Sequence, residues 1–162
     1  MTAGISDELR ACIGREATFT APEELGRGGI RLFALAMQDD NPLYQDEVVA
    51  GASRHGGIIA PPTLACETNQ IYRRAASDSG YFGHIWDLPL PSREFLRGGN
   101  DYEFHQPVRP NDRITVTWKI LDIQVRETRG GGALIFITSE ARFTNQRGAL
   151  LAVNSETNFH RA

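Results

Sequence analysis

The chain has 162 residues, 41% of them apolar and 23% charged, with a formal charge of -3. That length suits one domain with a substantial core, and no apolar run approaches the roughly 18 residues that span a bilayer, so a cytoplasmic domain with no membrane partner is expected. No dense block of lysine and arginine marks a nucleic-acid surface, and Cys12 and Cys66 lack the spacing of a disulfide framework or a zinc site.

Residues 1–12 read as a loosely attached lead and 7–13, overlapping its end, as a short helix capped by Ser6 or Asp7 and closed by Gly14. A brief strand comes next at 18–20, before Pro22. From Gly29, Ile30, Leu32, Phe33, Leu35, Ala36 and Met37 recur near helical spacing, which predicts an amphipathic helix of about ten residues. It runs into Asp39-Asp40-Asn41-Pro42-Leu43-Tyr44-Gln45-Asp46, where Asn-Pro ends the helix and three carboxylates crowd one turn. Asp46 is expected to stabilise that turn or to cap the segment after it.

Gly51, Gly56 and Gly57 predict a loop over 50–60. After Pro61-Pro62 a longer helix is expected over 63–76, with Leu64, Ala65 and Cys66 buried. Its start, 60–63, offers an amide cradle for partial negative charge, or a capped and buried helix end with no ligand. Residues 77–91 read as an irregular excursion covering a sheet edge or a pocket.

The remainder is strand-like. Segments 95–97, 101–108, 112–126, 133–144 and 150–160 alternate or are rich in β-branched residues, separated by Gly98-Gly99, Pro110-Asn111-Asp112, Gly130-Gly131-Gly132 and Arg147-Gly148. In the third, Ile114, Val116, Trp118 and Ile120 share one face. No repeat or linker divides the chain, so 1–162 is read as a single α+β domain, an antiparallel sheet packed on a helix.

Several residues are candidates for chemistry. Asp39 sits at a helix end where a carboxylate either lines a site or is simply solvated, and Tyr44 is either a ligand-facing phenol or a buried aromatic with its hydroxyl satisfied. His55 is the imidazole nearest in sequence and could stand in as a base. Arg93, Arg97, Arg109 and Arg113 could meet phosphates or form a solvated rim. His84, His105 and His160 have no partners at ligand spacing, so no metal is expected.

The run Ala36-Met37-Gln38-Asp39-Asp40-Asn41-Pro42-Leu43-Tyr44-Gln45-Asp46 resembles the hydratase motif of MaoC-like (R)-specific enoyl-CoA hydratases and dehydratases. Gly56-Gly57-Ile58-Ile59-Ala60-Pro61-Pro62-Thr63-Leu64, Arg97-Gly98-Gly99-Asn100-Asp101-Tyr102-Glu103-Phe104 and Val108-Arg109-Pro110-Asn111-Asp112 are similar to the fatty-synthase-like N-terminal dehydratase branch of that group. The resemblance implies a hot-dog fold, a curved antiparallel sheet wrapped around the long helix after Pro62. It also implies edge-to-edge pairing with a second hot-dog subunit, with the site between the two halves.

In catalytic members the motif reads Asp-x-Asn-Pro-(Ile/Leu)-His-x-Asp, and the Asp and His activate the water that adds to the enoyl double bond. Here Asp39 stands at the family's Asp and Tyr44 at its His. Unperturbed, a tyrosine titrates near ~10 and a histidine near ~6.5, so the replacement removes the ordinary base. The resemblance therefore implies one subunit of a heteromeric hydratase, acting reversibly on 2-enoyl-CoA thioesters of fatty acid or steroid side-chain metabolism. The partner supplies the complete Asp/His pair, in a heterodimer or heterotetramer.

Asn41, Ala60, Thr63, Arg97, Asn100 and Arg109 would bind the substrate, with coenzyme A belonging to the substrate and no separate cofactor. An independent homodimeric hydratase using Asp39 with His55 or Tyr44, a non-catalytic acyl-CoA binding subunit, and a thioesterase remain alternatives.

Overall fold

The computed structural model describes residues 5–66, 84–91, 95–128 and 132–161. Five strands, β1 (Glu16–Thr20), β2 (Phe95–Phe104), β3 (Thr115–Glu127), β4 (Ala133–Thr144) and β5 (Leu150–Arg161), form one antiparallel sheet ordered β1-β3-β4-β5-β2. Before the long strands the described residues include the helices α1 (Asp7–Arg10), α2 (Arg27–Ala36) and α3 (Glu47–Ala52), and a 3-10 turn at Pro42–Tyr44. No helix among the described residues is long and apolar enough to cross a membrane.

Alternation writes the inner face of the sheet. Val116, Phe143 and Ala152 form one cross-strand row, Trp118, Ala141 and Asn154 the next, then Ile120, Ser139 and Glu156. All nine are buried. The expected face of Ile114, Val116, Trp118 and Ile120 is thus observed. A bulge between Ile120 and Asp122 then adds one residue, which turns Leu121 outward and brings Ile123 back to the buried side opposite Ile137. The inner face is apolar on β3 and the ends of β4, and polar on β5.

Two clusters cover it. Ile30 and Ala34 of α2, Tyr44, Ala50, Ile58, Ala60, Leu64, Ala65 and Cys66 pack with Val116, Trp118, Ala141 and Phe143. Leu9 of α1 packs with Ile120, Ile123, Ile135 and Ile137, against which Leu88 and Leu90 also lie. Each fully buried large side chain here contributes about 1.5–3 kcal/mol, so these clusters hold the helices to the sheet.

Some elements differ from expectation. Gly98-Gly99 is not a turn between two strands but a bulge inside one continuous strand, β2. Glycine is needed there because a Cβ on Gly98 would lie 2.6 Å from Phe159 Cε1 and 3.0 Å from the Thr157 carbonyl. The loop expected over 50–60 begins later, since α3 runs through Ala52 with Asp46 as its cap. Strand β3 begins at Thr115 rather than at 112, because Asp112 is buried in a turn. Strand β2 stops at Phe104, and β1 starts earlier, at Glu16. Helix α1 is shorter than 7–13, capped by Ser6 Oγ, and turns into Gly14 at φ 87°. Of the helix expected over 63–76, residues 64–66 are helical, while 67–76 and residues 77–83 of the excursion lie outside the described residues.

Candidate functional site

Helix α2 buries Ile30 and Ala34 and ends in a closure that aims the motif. The Gln38 N–H donates to Leu35 O at 3.1 Å and the Asp39 N–H to Ala34 O at 2.9 Å, with Gln38 itself left-handed at φ 55°. This is the paired closure usually built with glycine, and it carries the chain sharply away from the helix axis. The Asp39 carboxylate then accepts the Asn41 N–H at 3.2 Å, and Asn41 Oδ1 accepts the Leu43 N–H at 3.1 Å. Asp46 accepts from Val48 and Val49 at 2.8 and 3.0 Å, capping α3 as expected. The three carboxylates therefore have separate situations: Asp39 half-buried in the turn, Asp40 exposed, and Asp46 a helix cap.

Tyr44 closes the 3-10 turn and is buried in the main core cluster. Burial pushes its pKa up, the neighbouring Asp39 charge pushes it further, and a hydrogen bond with the Asn41 side chain offsets part of the rise. The side chain is accordingly a neutral phenol at neutral pH, able to donate a hydrogen bond but not to take a proton from water.

The helix start is tied directly to this turn. The Ile59 N–H donates to Leu43 O at 3.2 Å, the Ala60 N–H to Val108 O at 2.9 Å, and the Gly57 N–H to Ala50 O at 2.9 Å. The amide of Ala60 is thus occupied, and Pro61 and Pro62 have none. The Thr63 N–H has no acceptor among the described residues and opens the helix on the solvent side. His55 is half-buried; its Nε2 accepts from Arg54 Nε at 3.3 Å and its backbone N–H donates to Ser53 Oγ at 3.1 Å.

The arginines face protein groups. Arg109 donates to Gly57 O at 3.3 Å and to His55 O, and Arg113 Nε donates to Ala21 O at 2.7 Å. On the edge strand, Arg97 pairs with the buried Glu156 at 2.6 Å, and Asn100 Oδ1 accepts from Asn154 Nδ2 at 2.9 Å. Arg93 lies outside the described residues. Asp39, Asn41, Tyr44 and Ala60 therefore belong to one hydrogen-bonded assembly that also includes His55 and Arg109, with Thr63 following it in the chain. Arg97 and Asn100 belong to a second polar group between β2 and β5.

One feature carried no signal in the sequence, and the described part of one expected feature, the excursion over 77–91, is observed. Asp112, 1% exposed, accepts the Arg109 N–H at 2.8 Å and Asn145 Nδ2 at 3.1 Å. In sequence it is one polar residue of a Pro-Asn-Asp turn. A groove of about 380 Å³ is lined by Arg15, Phe19, His84, Trp86 and neighbours, so residues 84–87 and β1 form its walls. Trp86 is held there by its Nε1–H to Ser139 Oγ at 2.9 Å. Among the described residues no three of His, Cys, Asp or Glu gather as metal ligands.

Residues 11–153 match the family described as the FAS1-like dehydratase domain region. The chain belongs to this family. A UPF0336 protein of Streptomyces coelicolor is 35% identical over 108 residues, 67% of this chain and 68% of that protein. The MaoC-like dehydratase of Rhodospirillum rubrum superposes with a TM-score of 0.68 at 20% identity, covering 98% of this chain and 99% of that one. A chain of the ChsH1-ChsH2 complex of Mycobacterium tuberculosis gives a TM-score of 0.70 at 17% identity, over 88% of this chain and 82% of that one. At such identities the two structures show the fold alone, and that fold is the expected α+β hot dog. The expected dehydratase resemblance is likewise shown, by a family model whose description names a dehydratase domain.

Proposed function

We propose that this family member is the acyl-binding half of a heteromeric 2-enoyl-CoA hydratase, a hydro-lyase whose partner hot dog supplies the complete Asp/His pair. The observation that carries this reading is Tyr44. At the position of the family's histidine stands a buried phenol whose pKa is raised, so it cannot act as the base that activates water near neutrality.

In this reading the partner's pair adds water across the double bond, and this chain holds the thioester. As negative charge develops on the thioester oxygen, the Thr63 N–H at the helix start donates to it. Tyr44 and Asn41 line the acyl side. The partner has a suitable surface to cover: among the described residues β2 is an edge strand of the sheet, with Leu96 65% and Phe104 45% exposed. The ChsH1-ChsH2 complex, a structural neighbour, lends support to a two-chain assembly.

The experiment is to purify this chain alone and together with a small hot-dog protein carrying an intact Asp…His motif, and to follow hydration of crotonyl-CoA and longer enoyl-CoA thioesters. Turnover by the pair and none by the chain alone is expected. In the pair, Tyr44→Phe retains most of the rate. Turnover by the chain alone that disappears in Asp39→Ala would establish an independent enzyme instead, and binding without turnover in the pair would establish a binding subunit.

A further inference from the structure

The segment joining the Tyr44 turn to the Thr63 amide passes through α3 and then a glycine-containing stretch, residues 53–60, that has no helix or strand of its own. Gly56 and Gly57 have φ of 64° and 153°, and their amides are held locally, by Ser53 O at 3.0 Å and Ala50 O at 2.9 Å, while further contacts come from outside the segment. Those contacts come mainly from one place. The Val108 carbonyl takes the Ala60 N–H at 2.9 Å, and the next residue, Arg109, reaches back with both terminal nitrogens, one to His55 O and one to Gly57 O at 3.3 Å.

Arg109 is itself immobilised. Its N–H is held at 2.8 Å by Asp112, whose other oxygen takes Asn145 Nδ2 at 3.1 Å from the turn between β4 and β5. The connection between β2 and β3 is thus a rigid post fixed to the far end of the sheet, and the guanidinium fork is its reach onto the loop. From the other side, the Ile59 N–H on Leu43 O ties the same loop to the residue before Tyr44.

The structure assigns Arg109 the role of a positioning residue that sets the spacing between the Asp39–Asn41–Tyr44 turn and the Thr63 amide. A planar fork meeting two carbonyls is something lysine cannot reproduce. The assignment deepens the proposed hydratase function and rests on it for its catalytic consequence. Its structural consequence, that the loop loosens without the fork, stands independently. The guanidinium, engaged with two main-chain carbonyls, is a poor candidate for a coenzyme A phosphate contact.

Arg109→Met and Arg109→Lys test this in the full chain; the lysine variant keeps the charge and the aliphatic stem should the methionine variant fail to fold. Amide hydrogen exchange over residues 57–63 should rise about tenfold or more in either variant, with β3 and β4 unchanged. In the active pair, kcat should fall about 100-fold for methionine and less for lysine, with KM within about threefold. The loss should be the same for an enoyl-CoA and for an enoyl-pantetheine, which lacks the nucleotide phosphates. Unchanged exchange would overturn the assignment, and so would a loss confined to KM and seen only with the CoA thioester, the mark of a phosphate contact. If the unmodified pair shows no turnover, the hydratase reading fails, and the exchange measurement still decides the role of Arg109.

Discussion

Replacing Asp112 by alanine should be among the most damaging single changes in this chain. The carboxylate is 1% exposed and accepts three hydrogen bonds: Arg109 N–H at 2.8 Å, Asn145 Nδ2 at 3.1 Å and Arg147 at 3.5 Å. The last is discounted, because the Arg147 side chain is 65% exposed and its pairing is screened by solvent. The two short bonds have an ionised acceptor, and each is worth about 1.5–3 kcal/mol, so their loss comes to roughly 3–6 kcal/mol. Against a typical total of about 5–15 kcal/mol, that is a large part of the stability, equivalent to about 10–20 °C in Tm. Asp112→Asn, which keeps the size and one acceptor, should lose about half as much. Urea unfolding followed by circular dichroism, at fixed chain concentration, measures both. A loss below about 1 kcal/mol for Asp112→Ala, or an equal loss for Arg147→Ala, would refute the account of Asp112 as a buried anchor.

Three further outcomes are expected from the geometry. Gly98→Ala should cost about 1–3 kcal/mol, because Phe159 can swing away from the new methyl group but the Thr157 carbonyl, 3.0 Å from it, cannot; an unchanged urea midpoint would mean that β2 shifts freely. Gln38→Gly should gain about 1 kcal/mol by relieving a left-handed residue at φ 55°, and a loss would show that the Gln38 side chain contributes more than its backbone strain removes. Tyr44→Phe should become progressively more stable than the parent as pH rises beyond about 10. The raised pKa in the folded chain means that the folded state holds its phenolic proton more tightly than the unfolded state does. That contribution is complete below the unfolded pKa and is lost as pH climbs through the folded one. Parallel stability curves for the two proteins would refute it.

The features that the sequence discloses and those that it hides divide along physical lines. Strands β3, β4 and β5 are legible because a period of two with one face buried leaves little choice of conformation, and the Asp46 cap is legible because capping is local chemistry. Gly98-Gly99 misleads because a glycine pair in a turn and one under a close cross-strand ring look identical until Phe159 is in place. Helix α3 is hidden by glycine-rich surroundings, although Asp46 and Glu47 mark its start. In the site, Asp39, Asn41 and Tyr44 are joined by contacts of two or three residues' reach and are visible together. The engagement of Arg109 with carbonyls 52 and 54 positions earlier, and of Asp112 with Asn145, depends on tertiary approach that no local pattern encodes.

Strand β5, last in the chain, lies in the interior of the sheet between β4 and β2. During synthesis β2 therefore emerges about fifty residues ahead of its partner, and at about 5–20 residues per second it waits several seconds with both edges open. Its bulge and its Arg97 interrupt what would otherwise be an adhesive ribbon bearing Leu96 and Phe104. The nascent chain is consequently most prone to aggregate while β2 waits for β5, and its yield in cells should respond to chaperone supply. A premature stop after Thr144 would remove β5, the strand that joins β2 to the rest of the sheet.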